Sequence, residues 1–364
     1  MLVKIGLVNF LIYKMAQPLV TINIAVRNGE KYIPWCLDSV LKQSYPHEKI
    51  ELNILDNNST DNTKEIINNL KTGNEDLSIT KFSLFEKEEN LGMWPGQEWL
   101  LEKSNGKYII ALSVDVLLDS NFIKNAIEII EADNKIGALQ AKIYRAEPIT
   151  MGGNLKLKKT NTIDTLGFEI YKSRRSVNIA HGEKDEGQYS KSTEIFGVEG
   201  AVPLFRHEAL KNIKIDGYII DPDFFWYGDD LDLAWRMNVF GWKQIYAPNV
   251  IAWHDRQTTK TLAGGKLKNF IKIRKTIPQF KRRLDYRNWF FAVIKNDYLS
   301  NFLHDLPRIL KRQIMLWSYF LIFEPWMFLE MPHIVKGIPK MLKRRREVIK
   351  KAKITPKDIR KWFK

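Results

Sequence analysis

The chain has one cysteine, Cys36, among 364 residues. That excludes an intrachain disulfide, and with it a small secreted fold stapled by several of them; a reducing compartment, by default the cytosol, is the expected setting. Sequence repeats and low-complexity tracts are missing as well, which argues against a solenoid or a disordered chain. Long unbroken apolar runs are scarce. Residues 1–18, MLVKIGLVNFLIYKMAQP, hold an apolar run interrupted by Lys4 and Asn9, too short for a bilayer span and without a small-residue cleavage site. Residues 1–17 therefore read as an N-terminal extension, with Met15 an alternative start.

A second apolar stretch, residues 314–335 (IMLWSYFLIFEPWMFLEMPHIV), contains Glu324, Pro325 and Pro332. Glu-Pro breaks a helix and would set a carboxylate near the bilayer centre, which is costly. Segments lying in, or re-entering, a membrane interface fit better: Trp317, Tyr319 and Trp326 are the aromatic types enriched there, and KMLKRRREVIKKAK behind them attracts anionic headgroups. A two-helix bundle covering the rest of the chain is the soluble alternative.

Positive charge, by contrast, is abundant, at a net +15. It is not spread evenly. Residues 1–265 carry 31 Lys and Arg against 35 Asp and Glu, a net of −4, while residues 266–364 carry 26 against 7, a net of +19. The C-terminal basicity has no nucleic-acid motif beside it, and an apolar run has no part in reading DNA or RNA, so an anionic membrane surface and no nucleic acid is the expected partner.

A hydrophobic content of 45% supports a sizeable core. From Val20 to about Ala132, short aliphatic runs alternate with amphipathic stretches: VTINIAV as strand, 31–43 as helix, IELNILD as strand, 61–71 as helix, GKYIIALSVD as strand, then a helix from Asn121. Such alternation predicts an α/β fold whose mainly parallel, Rossmann-like sheet is flanked by helices. Residues 152–197, polar and Lys-rich, read as an irregular surface region near an acceptor, with KSRR (172–175) a solvated charge run. KQIYAPNVIAWH reads as a strand ending at His254.

Ligands gather beyond the carboxyl ends of parallel strands, and two of these strands end in acids, Asp56 and Asp115. The cluster DNNSTDNT after the first of them suits ligand binding or turn chemistry equally, with Ser59 or Thr60 capping the next helix. Asp229, Asp230 and Asp232 open an apolar helical pattern in which Trp235, like Trp226 before it, reads more readily as a packing residue than as a sugar platform; acids there also face the positive end of the helix dipole. Asp115, Asp230 and His254 each sit at an element boundary. Together they suit a nucleotide-sugar donor, whose diphosphate needs Mg²⁺ or Mn²⁺ on hard ligands, and an acceptor hydroxyl, which needs a general base. Taken singly, His254 reads more readily as a structural histidine than as a ligand, and Asp115 also reads as a helix cap.

Three blocks, VTINIAVRNGEKYIPWCLDSVLKQSYPHEKIELNILDNNSTDNT, NLGMWPGQEWLLEKSNGKYIIALSVDVLLD and GYIIDPDFFWYGDDLDLAWRMNVFGWKQIYAPNVIAWH, occur in that order from Val20 to about Arg256. They resemble family 2 glycosyltransferases of the GT-A fold, and within that family the rhamnosyltransferase-like and galactofuranosyltransferase-like members. The resemblance implies an inverting, metal-dependent hexosyltransferase with a GT-A domain over 18–265 and a basic, membrane-associated helical region over 266–364. It implies that Asp56 bonds the nucleotide base against a wall made by Ala25, Val26 and Arg27, that Asp115 and His254 hold the divalent cation, and that Asp230 is the base. Trp226, Tyr227 and Asp229 fall on the acceptor side, where the two rings suit sugar stacking. The implied acceptor is a glycan, polyprenyl-linked, at the cytoplasmic face of the cell membrane. Ser113 stands where the family's metal motif usually has an acid or Asn, Arg27 where it has Tyr, and Asp229 where it prefers Glu. Rival readings are a nucleotidyltransferase on a similar sheet and a non-catalytic, membrane-bound glycan-binding protein.

Overall fold

The structure, a computed structural model, describes residues 17–73, 81–151, 154–256, 271 and 274–364. The N-terminal extension, Gln17 apart, and the expected boundary at 265 lie outside the described residues. The first half follows the alternation in the sequence: β1 (Val20–Val26), α1 (Ile33–Leu41), β2 (Ile50–Asn57), α2 (Thr63–Gly73), β3 (Lys81–Lys87), α3 (Met93–Leu101) and β4 (Tyr108–Ala111). These strands pair in parallel in the order β3-β2-β1-β4. Parallel neighbours need a crossover, and the helices supply it on both faces, so Ile22, Ile24, Leu52 and Ile110 are buried at 0% exposure.

The sheet then changes direction. After β5 (Val116–Leu118) and α4 (Phe122–Ala132) come β6 (Ile136–Met151) and β7 (Asn154–Thr165), then short β8 (Phe168–Ile170), β9 (Ser176–Asn178), β10 (Thr193–Glu194) and β11 (Leu204–Arg206). Strand β11 runs antiparallel between β4 and β6, and β12 (Lys243–His254) runs parallel to β6. Much of the region expected to be irregular is therefore sheet. The alternation in NLKLKKTNTIDT has the period of a strand, and Glu147 faces Lys158 across β6 and β7, so the lysines that suggested a loop are cross-strand partners of the hairpin.

Helices α5 (His207–Asn212), α6 (Asp229–Val239), α7 (Gln279–Asn296), α8 (Leu299–Phe323), α9 (Met331–Lys351) and the short α10 (Pro356–Ile359) follow. One core joins the sheet to α1, α2 and α4; a second joins it to α3, α6, α7 and α9 through Trp94, Leu233, Trp289 and Met341. Trp235 is fully buried against Phe196 and Phe363, as its spacing suggested. Glu-Pro ends α8, and the chain bends by 120° into the segment Pro325–Lys351. Among the described residues no single helix is long and apolar enough to cross a membrane.

Two readings of charge are corrected. Arg174, in the run taken as solvated, is 0% exposed and pairs with Asp297 at 2.7 Å and Asp305 at 2.8 Å. Arg344, in the run taken as facing headgroups, is 3% exposed and pairs with Asp216, Asp221 and Asp223. A guanidinium that meets several carboxylates at once recovers the desolvation that burial costs it, which a count along the sequence does not reveal.

Candidate active site

The register of β1 on β2 sets Ala25 beside Leu55 and Val26 beside Asp56, so both strands end at one edge. Arg27 continues that edge, exposed, with its Nε donating to the Asn58 carbonyl at 3.3 Å. The loops beyond are stitched together: Asn28 N donates to Ser59 Oγ at 2.9 Å, Gly29 N to Thr63 Oγ1 at 2.8 Å, and Thr60 N to Asn28 Oδ1 at 2.8 Å. Turn chemistry thus accounts for most of DNNSTDNT, and Asp61, rather than Ser59 or Thr60, accepts from Thr63 N at the start of α2. Asp56 stands apart from it. It is 1% exposed, its Oδ2 accepts from Ser59 N at 3.2 Å, and its Oδ1 is buried with no hydrogen-bond partner among the described residues, so it is free to accept from a bound donor group.

Strand β5 pairs antiparallel with β12, placing Val116 opposite His254, so Asp115 lies beside the histidine. His254 Nε2 is 3.4 Å from Asp115 Oδ2, and its Nδ1 is 2.9 Å from Asp164 Oδ2. Burial opposes protonation of His254, but Asp115 and Asp164 outweigh it and hold its pKa up at about 10. Asp164 in turn is held well below the carboxylate range, because His254 and Arg256 overcome the cost of its burial. Both ring nitrogens of His254 face carboxylates, so a divalent cation between Asp115 and His254 would have to take the place of the Nε2 proton, with Asp164 fixing the far side of the ring. Ser113 contributes no such group; its Oγ lies 3.9 Å from Met93 Sδ. Among the described residues no cluster of three or more potential ligands occurs, so diphosphate and water would have to complete the shell.

Arg256 carries the arrangement further. Its Nε donates to Asp164 and its Nη2 to Glu199 Oε1 at 2.7 Å. Glu199 is the principal charge acting on Asp230: burial and that carboxylate push the Asp230 carboxyl up to about 7, with Arg256 working in the opposite sense. The three acids of α6 thus part company. Asp232 is fully buried and pairs with Arg236 and Lys295, each at 2.7 Å. Asp229 is 3% exposed, its Oδ2 has no hydrogen-bond partner among the described residues, and burial together with Asp230 raises it well above its ordinary value. Asp230 is half-buried, its Oδ1 accepting from Leu231 N at 2.8 Å.

The turn before α6 is fixed from the C-terminal region. Asn288 Nδ2 on α7 lies within hydrogen-bond reach of the carbonyls of Phe224, Trp226 and Tyr227, at 2.8, 2.9 and 2.6 Å. Gly228 has φ +75, and a Cβ there would sit 3.0 Å from Asn288 Cβ, so the position needs glycine twice over. Trp226 and Tyr227 are half-buried and stack on each other, centroids 5.5 Å apart; Lys281 Nζ lies 4.0 Å from the Trp226 centroid. Sequence reasoning missed Asp164, Glu199 and Arg256. The one signal available was an acid inside the alternating run TNTIDT.

Solved structures give the class to which this architecture belongs. A mannosyltransferase from Pyrobaculum calidifontis, determined with GDP-Man and Mn²⁺, superposes with a TM-score of 0.51 over 90% of this chain and 76% of that one, at 18% identity, a likeness that shows the GT-A type of α/β fold. The description "Glycosyl transferase family 2" matches residues 21–213, more than half of the chain. The chain belongs to that family. A dolichyl N-acetyl-alpha-D-glucosaminyl phosphate 3-beta-D-2,3-diacetamido-2,3-dideoxy-beta-D-glucuronosyltransferase of Methanococcus voltae is 25% identical over 244 residues, 66% of this chain and 68% of that protein. A poly-beta-1,6-N-acetyl-D-glucosamine synthase of Staphylococcus epidermidis is 25% identical over 230 residues, 63% of this chain and 48% of the synthase, so the chain spans about half of its length.

Proposed function

We propose that this chain moves a hexosyl group, with inversion, from a nucleotide-diphosphate donor to a hydroxyl of a cell-surface glycan, and that residues 18–265 carry this chemistry. The observation that carries the reading is the Asp230 carboxyl, raised to about 7 and joined through Glu199 and Arg256 to the group around Asp115 and His254. Asp230 takes the proton of the acceptor hydroxyl, the freed oxygen bonds to the anomeric carbon from the opposite face, and the bond to the β-phosphate oxygen breaks with its electron pair leaving on the nucleoside diphosphate. Asp115 and His254 would hold a divalent cation, which would supply the positive charge that offsets the charge on that leaving group. Asp56 bonds the base beside Ala25, Val26 and Arg27. Trp226 and Tyr227 meet the acceptor, while buried Asp229 backs Asp230 rather than touching sugar. The relatives described above are named for other sugars, so the narrower likeness to rhamnosyl- and galactofuranosyltransferases is not carried into the proposal.

One relative is named for a dolichyl-phosphate acceptor, and the basic helices over 266–364 suit the same kind of substrate: a polyprenyl-linked glycan at the cytoplasmic membrane face. Incubation with nucleotide-sugars and Mn²⁺ should release a nucleoside diphosphate; release of pyrophosphate would instead identify a nucleotidyltransferase.

The donor site makes two further predictions. Asp115→Ala and His254→Ala should each weaken the Mn²⁺-dependent thermal stabilisation by nucleotide-sugar, and the double variant should lose less than the two losses added. Strictly additive losses would separate the two residues. Asp56→Ala should raise the Kd for nucleoside diphosphate by about tenfold or more, the effect of a hydrogen bond to a charged acceptor; titration calorimetry measures it, and an unchanged Kd would remove Asp56 from the pocket.

A further inference from the structure

The C-terminal helices bury one side against the catalytic core and leave another bare. On α8 the side chains of Leu303, Leu310, Ile314, Trp317 and Leu321 recur three, four or seven residues apart, a spacing that aligns them on one face. All five are exposed, at 56, 47, 59, 39 and 71%. The stripe runs into the bend that ends α8, where Ile322 at 70% and Leu329 at 65% project as well. A continuous apolar ridge of this kind is uncommon on a protein surface that water alone covers.

Charge says what covers it. Between Leu299 and Arg346 the acids are Asp305, Glu324 and Glu330, and every one is buried: Asp305 pairs with Arg174, Glu324 with Arg274 and Arg282, and Glu330 with Arg283. The charges left at the surface of α8 are cationic, Arg308 and Lys311 beside the stripe; on α9 Lys336, Lys343 and Arg346 lie further on, and the one part-exposed acid there, Glu347, pairs with Lys351. Glu324, whose place in the apolar run counted against membrane contact, is turned inward to its arginines. An exposed apolar ridge edged by cations and stripped of surface acids complements an anionic bilayer interface and repels an acid-free copy of itself.

We infer that α8 and the bend after it are the membrane-docking surface, with the stripe lying in the headgroup–acyl boundary and the bend entering deepest. This rests on the reading of a membrane-borne acceptor but names a different surface from the Lys343–Arg346 run. The test is flotation of the full chain with vesicles of phosphatidylcholine alone or mixed with phosphatidylglycerol. Wild type should float with the mixed vesicles, and Ile314→Gln/Leu321→Gln/Ile322→Gln should bind them about tenfold more weakly or worse. Arg308→Gln/Lys311→Gln should lose the preference for the mixture. Thermal stabilisation by nucleotide-sugar and Mn²⁺ should stay at the wild-type value in both variants. A triple variant that floats like wild type overturns this surface and leaves the membrane reading standing. If wild type ignores both vesicle types, both fall; if it is then a dimer that the triple variant splits, the stripe belongs to a second copy of the chain.

Discussion

Replacing Asp230 by Asn should lower turnover by roughly two to four orders of magnitude, the range that a positioned general base contributes. Donor affinity should stay near wild type, because the residue deals with the acceptor's proton and not with the nucleotide. The pH profile gives a sharper readout than the rate. A base must be ionised to act, and burial with the Glu199 carboxylate raises this one to about 7, so activity should climb with an apparent pKa near neutrality. In Asp230→Asn that limb should vanish. Stability should move the opposite way: a carboxyl whose folded pKa lies above its unfolded value contributes stability at low pH, and loses it as pH rises through the interval from about 4 to about 7. Asp229→Asn is the control. That carboxyl is buried, and burial together with Asp230 raises its pKa well above the usual carboxylate value, so a neutral isostere should cost far less activity. Equal losses in the two variants, or an unchanged limb in Asp230→Asn, would take the base role from Asp230.

The parts of this fold legible in the sequence are those in which one strand carries its own signal. VTINIAV and IELNILD are rich in Ile, Leu and Val, and even their polar positions Thr21, Asn23, Glu51 and Asn53 are buried, because both faces of a parallel strand are covered, and the acids Asp56 and Asp115 mark the functional edge of the sheet. The Asp115–His254 pair was legible only as two element ends. Their meeting depends on β5 turning back to pair with β12, a three-residue strand with no pattern of its own. Asp164 lies 90 positions before His254, in a segment whose lysines masked a strand of period two. Arg256 and Glu199 were illegible for a related reason: each is polar, neither sits in a motif, and their importance arises from the third residue they both reach. Asp229, Asp230 and Asp232 show the limit most directly. Three adjacent-looking acids at one helix start differ in function because one faces Lys295 and Arg236, one is buried in the interior, and one lies half-buried under the charge of Glu199, and the helical period alone does not say what occupies each direction.

The basic run Lys343–Arg346 shows the same limit in energetic terms and yields the largest stability effect expected. Arg344→Ala should destabilise the folded chain by about 3 kcal/mol, the lower end for breaking a buried ion pair, while Lys343→Ala, one residue away, should have no measurable effect. Position on α9 decides the difference. Lys343 is exposed at 74% of its side chain and reaches Asp216 at 3.4 Å, a solvated pair that water and salt replace readily. Arg344 is 3% exposed and meets Asp216, Asp221 and Asp223 together. Its removal strands Asp221, a carboxylate that the fold has already taken out of water. Lys295, 2.6 Å from Asp221, and Lys340, 2.7 Å from Asp223, compensate in part, which is why the lower end applies. The same Lys295 holds Asp232 on α6, two residues beyond Asp230, so the loss should spread to the turn that positions the base and appear as reduced activity below the unfolding transition. Denaturant titration of the two single variants measures the difference, with slopes compared to confirm that the unfolded states match. Equal midpoints for Arg344→Ala and Lys343→Ala would mean that α9 is held to the catalytic domain by its apolar face alone.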